Sequence, residues 1–214
     1  TMLAAEAYSS PSIIMSGRRQ DGSRYIIDDY REAYYWIKQN TPKEAKIMSW
    51  WDYGYQITGM SNRTVLVDNN TWNNTHIATV GRAFGSPEAE SVKIARHLDA
   101  NYVLVIFGGM ANYSGDDISK FLWMIRIAAG VFPQIKENNY YNKGHYRVDK
   151  DASKTMRDSL MYRLAYYRFG EVRTSAKEPM GYDSVRKCEI GLKEWDLKYY
   201  REAYSSTRWL VRIF

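Results

Sequence analysis

Apolar positions 30, 33, 34 and 37 recur at helical spacing and predict a helix from the acidic pair Asp28-Asp29 to about Asn40. Two carboxylates suit the positive end of a helix dipole, and Thr41-Pro42 disfavours continuation. The short apolar run 46–50 reads as a buried strand, 51–54 as a turn, 55–60 as a short helix and 64–67 as a second strand ending at Asp68. A polar loop follows over 69–75, then a helix over 77–84. Ser86-Pro87-Glu88 predicts a new helix with proline at its first position, running to His97 or Leu98. Residues 102–107 form the clearest strand, broken by Gly108-Gly109. Ser114 and Asp117 have capping-box spacing and open a helix to about Ala129. Beyond Pro133 the periodicity weakens, and 151–169 and 193–204 read as helices before a strand-like run over 209–214.

Strands alternating with helices predict an α/β fold: a helix-rich domain around a small, mostly parallel sheet, with a mixed, less regular C-terminal extension. Residues 1–24 read as an extended lead-in, 25–139 as the core, and 140–214 as a basic, tyrosine-rich extension of the same domain. The chain is 15% aromatic, which excludes a disordered segment, and its lone Cys188 excludes a disulfide scaffold. No stretch approaches the roughly 18–20 apolar residues that span a bilayer. Thr1 and Phe214, the latter inside a strand-like run, both read as cuts through a longer protein.

The net charge of +6 is unevenly placed. Residues 1–142 carry 14 Lys+Arg and 14 Asp+Glu, whereas 143–214 carry 16 and 10. A solvated face, an anionic membrane surface and nucleic acid are the three readings of such a tail. Its cations are spread among Asp and Glu, which argues against nucleic acid.

Candidate chemistry gathers at two motifs. Trp50, Trp51 and Asp52 lie at the end of the first predicted strand, and ligands of open α/β sheets collect at such carboxyl ends. Two adjacent tryptophans also suit a core, and an Asp after a strand also suits a turn. The chemistry is nevertheless specific: two indole N–H donors and one carboxylate acceptor saturate a single hydroxyl, which has one proton to give and two lone pairs to fill. Asp117, Lys120 and Met124 share one stripe of a predicted helix, where the plain alternative is an exposed ion pair beside a core methionine.

Four Asn-x-Ser/Thr triplets start at Asn62, Asn69, Asn73 and Asn112, and their modification would place the chain in a secretory lumen. The three histidines have no ligand spacing, and no P-loop, G-x-G-x-x-G or G-x-S-x-G occurs. Asp149 and Asp151 form the one D-x-D, more typical of a helix cap than of a metal site.

Ser49-Trp-Trp-Asp-Tyr-Gly54, the run from Asp68 to His76, the strand from Tyr102 to Gly109 and the helix Asp117-Ile-Ser-Lys-Phe-Leu-Trp-Met124 occur in this order. The chain thereby resembles the C-terminal lumenal domain of the catalytic subunit of eukaryotic oligosaccharyltransferase, from about Tyr8 onward and more weakly after about residue 140. That family transfers a preassembled glycan from dolichyl diphosphate to Asn in Asn-x-Ser/Thr. The resemblance implies that Trp50, Trp51 and Asp52 hold the acceptor hydroxyl, and that Asp117, Lys120 and Met124 lie beside that pocket. Met124 would touch the threonine methyl, worth about 0.8 kcal/mol and roughly fourfold over serine. Asn73 first, and Asn69 after it, match positions carrying the subunit's own glycan, with Asn62 and Asn112 the less secure matches.

The resemblance also implies Mn2+ or Mg2+ held by a membrane portion absent here, so that this fragment carries no catalytic or metal-binding residue and is inactive alone. Implied partners are the acceptor polypeptide, the dolichyl-diphosphate oligosaccharide, other subunits of the complex, and the endoplasmic reticulum membrane through the missing N-terminal region. The alternative is a free-standing secreted peptide- or carbohydrate-binding module.

Overall fold

The computed structural model describes residues 12–18 and 22–214. The element order is β1 (Met15–Arg18), β2 (Arg24–Ile27), α1 (Asp29–Asn40), β3 (Lys46–Met48), α2 (Gly54–Ser61) and β4 (Thr64–Val65). Then come α3 (Asn74–Gly85), α4 (Glu88–His97), β5 (Tyr102–Ile106) and α5 (Asp117–Val131). The C-terminal third holds β6 (Tyr141–Asn142), β7 (His145–Tyr146), α6 (Lys154–Asp158), α7 (Leu160–Ala165), β8 (Tyr182–Asp183), β9 (Cys188–Glu189), β10 (Tyr204–Ser205) and β11 (Val211–Ile213). The described part of the expected lead-in contributes to an antiparallel β1–β2 hairpin; residues 1–11 and 19–21 lie outside the described residues.

The main sheet has the order β10-β11-β5-β3-β4. β3 pairs in parallel with both β4 and β5, with Ile47 opposite Val65 and Tyr102. The fold class is α/β, and the three strands of the core are the parallel part of the sheet. The terminal run turns it into a mixed sheet, because β11 returns antiparallel along β5 and β10 folds back on β11.

Tyr30, Ala33, Tyr34 and Ile37 form the buried face of α1, as their spacing requires. Asp29 does more than favour the helix start. Buried, it accepts from the Ser206 hydroxyl at 2.6 Å and the Arg208 amide at 2.8 Å, tying α1 to the loop before β11. Helix α3 lies along α5, and α5 and α7 pack on β5. Gly81 permits the close approach of α3, since a Cβ there would meet the Met124 carbonyl oxygen at 2.7 Å.

Four local expectations are corrected. Pro87 precedes its helix as an extended cap, with α4 beginning at Glu88. Asp116, not Ser114, caps α5, by accepting from the Ser119 amide. The segment 151–169 breaks into α6 and α7 because the Ser159 hydroxyl caps a new helix and the Leu160 amide donates to Ser86. Residues 193–203 form no helix: the amides of Lys198, Tyr199 and Tyr200 converge on one oxygen of Glu88 instead of bonding to their own turn.

Candidate functional site

Strand β3 ends at Met48, and Trp51–Tyr53 follow as a single 3-10 turn leading into α2. Gly54 makes that turn possible: a Cβ would strike the chain just beyond β4, 2.7 Å from the Val67 carbonyl oxygen. The Trp-Trp-Asp sequence is thus pinned at the carboxyl end of the parallel strands. Trp50 is buried, Trp51 half-buried, and their rings meet edge to face at 6.3 Å between centroids.

Helix α5 faces this turn. Its Lys120 Nζ donates to Asp52 Oδ2 at 2.8 Å and to the Tyr53 hydroxyl at 3.0 Å, and sits 4.8 Å from the Tyr53 ring centroid. Both partners of the ion pair are buried, with side chains 8% and 6% exposed, which overturns the exposed-pair alternative for Lys120. The carboxylate partner of Lys120 is Asp52, across the site. Burial raises the Asp52 carboxyl above the usual carboxylate range, and Lys120 works against that rise. Among the described residues no hydrogen bond joins the other oxygen of Asp52, or the indole N–H of Trp50 or Trp51, to another protein group, and none of these atoms is among the buried ones without a partner, so they are open to solvent.

These groups surround one cleft of about 330 Å³, lined by Trp50, Trp51, Asp52 and Lys120 together with Ser119, Trp123 and Ile127. Asp117 and Met124 do not line it. Asp117 is wholly buried behind the site, where its Oδ2 accepts from the Ile106 amide at 2.8 Å and its Oδ1 has no partner. Burial pushes its carboxyl up to about 7, against the opposing pull of Lys120. Met124 is 0% exposed and packs within the core. Ser119, Trp123 and Ile127 were missed in the sequence reading, although extending the Lys120 stripe by three and seven residues leads to Trp123 and Ile127.

A second set of residues supports α5 from the C-terminal extension. Buried Asp116 accepts from the Gly108 amide at 2.9 Å and from the Arg186 guanidinium, one of whose contacts is 2.7 Å. Arg186 also reaches Asp183 at 3.2 Å and the Ser119 hydroxyl on the cleft rim at 2.8 Å. The hairpin β8–β9 is thereby locked against the first turn of α5. No sequence signal linked Arg186 to the site.

Of the Asn-x-Ser/Thr residues, Asn73 is exposed and its Oδ1 caps α3 through the amides of Thr75 and His76. Asn69 is half-buried, while Asn62 and Asn112 are exposed with left-handed backbones. Asp149 bonds to Arg147 and to the Asp151 amide. Among the described residues no three His, Cys, Asp or Glu side chains form a group able to hold a metal.

The fold is similar to that of the C-terminal globular domain of an oligosaccharyltransferase from Archaeoglobus fulgidus, with a TM-score of 0.50 at 18% identity over 88% of this chain and 97% of that one. The family model of the STT3/PglB/AglB core domain matches residues 43–178, and the chain belongs to this family. The STT3B subunit of dolichyl-diphosphooligosaccharide–protein glycosyltransferase from Oryza sativa subsp. japonica is 62% identical over 214 residues, covering 100% of this chain and 30% of that protein. The STT3 subunit from Dictyostelium discoideum is 59% identical, with the same coverage. The chain therefore spans about 30% of the length of these curated relatives. No helix among the described residues is long and apolar enough to cross a membrane.

Proposed function

We propose that this chain is the acceptor-recognition part of an oligosaccharyltransferase catalytic subunit. That enzyme moves a preassembled oligosaccharide from dolichyl diphosphate to the Asn amide of Asn-x-Ser/Thr, and this part binds the Ser/Thr hydroxyl on the lumenal side of the endoplasmic reticulum membrane. One observation carries the reading: Trp50, Trp51 and Asp52 line a single cleft, and among the described residues their two indole donors and one carboxylate oxygen have no protein hydrogen-bond partner. A hydroxyl entering it would donate to Asp52 and accept from Trp50 and Trp51. Lys120 would hold Asp52 ionised and oriented through their 2.8 Å contact. An acceptor without the hydroxyl leaves these groups desolvated and unpaired, which is why such a site discriminates strongly.

Family membership, through relatives named as glycosyltransferase subunits, supports this reading over a free-standing binding module. Asp117 would brace α5 against β5 through the Ile106 amide. Met124 would contact the threonine methyl only once binding uncovers it, since it is fully buried here. Exposed Asn73 is the foremost candidate for the subunit's own glycan, ahead of Asn69 and Asn62. The divalent metal, the donor glycan and the membrane anchor belong to the rest of the enzyme, and other subunits would join it there. In the full-length enzyme, Asp52→Ala should lower kcat/KM for an Asn-x-Thr peptide roughly a hundredfold. Wild-type turnover in that variant would remove Asp52 from the role.

A further inference from the structure

We infer that the groove beside the hydroxyl cleft receives the acceptor polypeptide beyond its Ser/Thr residue and selects an apolar side chain two positions further on. The inference rests on the hydroxyl reading of the cleft. A second cavity of about 470 Å³ adjoins the first, and Trp51 and Ile127 line both, so the two are sides of one shared ridge. Besides that pair of residues the second cavity is lined by Ile77, Gly130 and Val131 and by the polar Thr71, Asn74 and Arg126. At Gly130 an added Cβ would meet nothing within 4 Å, so the missing side chain leaves open space on an exposed face of α5.

The occupant follows from continuity with the hydroxyl cleft and from strand geometry. An extended peptide advances about 3.3 Å per residue and turns every second side chain to the same face. With the Ser/Thr side chain held beside Trp51, the residue two positions later points the same way, roughly 7 Å along. A side chain so placed has only Trp51 and Ile127, which line both cavities, between it and the hydroxyl cleft. The glycosylated Asn, on the other side of Ser/Thr, has to reach chemistry outside this chain, which assigns the groove to the following residues.

The selection is apolar because the cation at this groove is already engaged. The Arg126 guanidinium holds both Glu137 oxygens at 2.9 Å and lies 5.0 Å from the Trp123 ring centroid. An acidic side chain would find no unpaired cation there.

The test uses the full-length enzyme and capped peptides: a core Asn-x-Thr, the core followed by Ala-Leu, Ala-Gly or Ala-Asp, and the core preceded by Leu-Ala. The Ala-Leu extension should raise kcat/KM about tenfold over Ala-Gly, with Ala-Asp no better than Ala-Gly and Leu-Ala without effect. Gly130→Phe should fill the gap and cut the Leu-over-Gly ratio to within about twofold, whereas Gly130→Ala should keep most of it. Equal use of Leu and Gly extensions by the wild-type enzyme would overturn the inference without needing any variant. So would a Leu gain that appears only on the N-terminal side, or a Gly130→Phe effect equal for every acceptor, which would give the groove to another subunit or to the chain's own glycan. A failed hydroxyl reading would show separately, as equal use of Thr and Ala in the core peptide.

Discussion

Two buried ionic centres flank the start of α5, and they are built differently. In one, Arg186 joins Asp116 and Asp183, and Tyr166 and the Gly108 and Ser119 amides complete the carboxylates. Every strong polar group there has partners from the protein. In the other, Lys120 joins Asp52 and Tyr53, yet among the described residues one Asp52 oxygen and the indole N–H groups of the neighbouring Trp50 and Trp51, all residues lining the cleft, have no protein hydrogen-bond partner. A carboxylate and two indoles that line one cleft open to solvent, with hydrogen-bonding capacity not used inside the protein, can offer that capacity to a ligand. The saturated centre is structural; the unsaturated one is the candidate site.

That contrast predicts different failures. Arg186→Met strands two fully buried carboxylates and should destabilise the 214-residue chain by about 3–5 kcal/mol, measured by urea unfolding. An undiminished midpoint would show the cluster to be dispensable. Lys120→Met should leave the fold largely in place but lower acceptor use at least tenfold, because Asp52 loses the charge that opposes its protonation. If the variant instead unfolds like Arg186→Met, the two centres are not functionally distinct.

A pH effect of intermediate size should come from Asp117. Its carboxyl, pushed up to about 7 by burial, binds more protons in the folded chain than in the unfolded one between about pH 4 and 7. Its contribution is therefore complete below the ordinary carboxylate range and is lost as pH rises through 7. Thermal unfolding of Asp117→Asn should show a flatter decline in Tm from pH 5 to 8 than the unsubstituted chain; an equal decline would contradict a proton on Asp117. The smallest effect belongs to Met124→Ala, which should erase about a fourfold Thr-over-Ser preference in kcat/KM. An unchanged ratio would remove Met124 from the acceptor contact.

The two centres also differ in how far the sequence revealed them. Trp50, Trp51 and Asp52 are contiguous, and Asp117, Lys120 and Met124 are periodic, so one strand end and one helix face made them visible. The three parallel strands were readable for the same reason: each is a short apolar run closed by a turn. What the sequence hid was long-range. Arg186 meets Asp116 across 70 positions, and Glu88 captures amides 110 to 112 residues away, which overrides the helical pattern of 193–204. The terminal strand was visible as a run, but its antiparallel return along β5 was not, because pairing direction depends on a path no local pattern encodes.

The central claim is that the cleft grips a hydroxyl, and an isosteric pair of acceptors addresses it most directly. Threonine and valine differ by that hydroxyl at nearly constant shape. In the full-length enzyme the ratio of kcat/KM for Asn-x-Thr over Asn-x-Val should be large for the unsubstituted protein and should collapse toward unity in Asp52→Ala. A ratio that survives the loss of Asp52 undiminished would contradict the account.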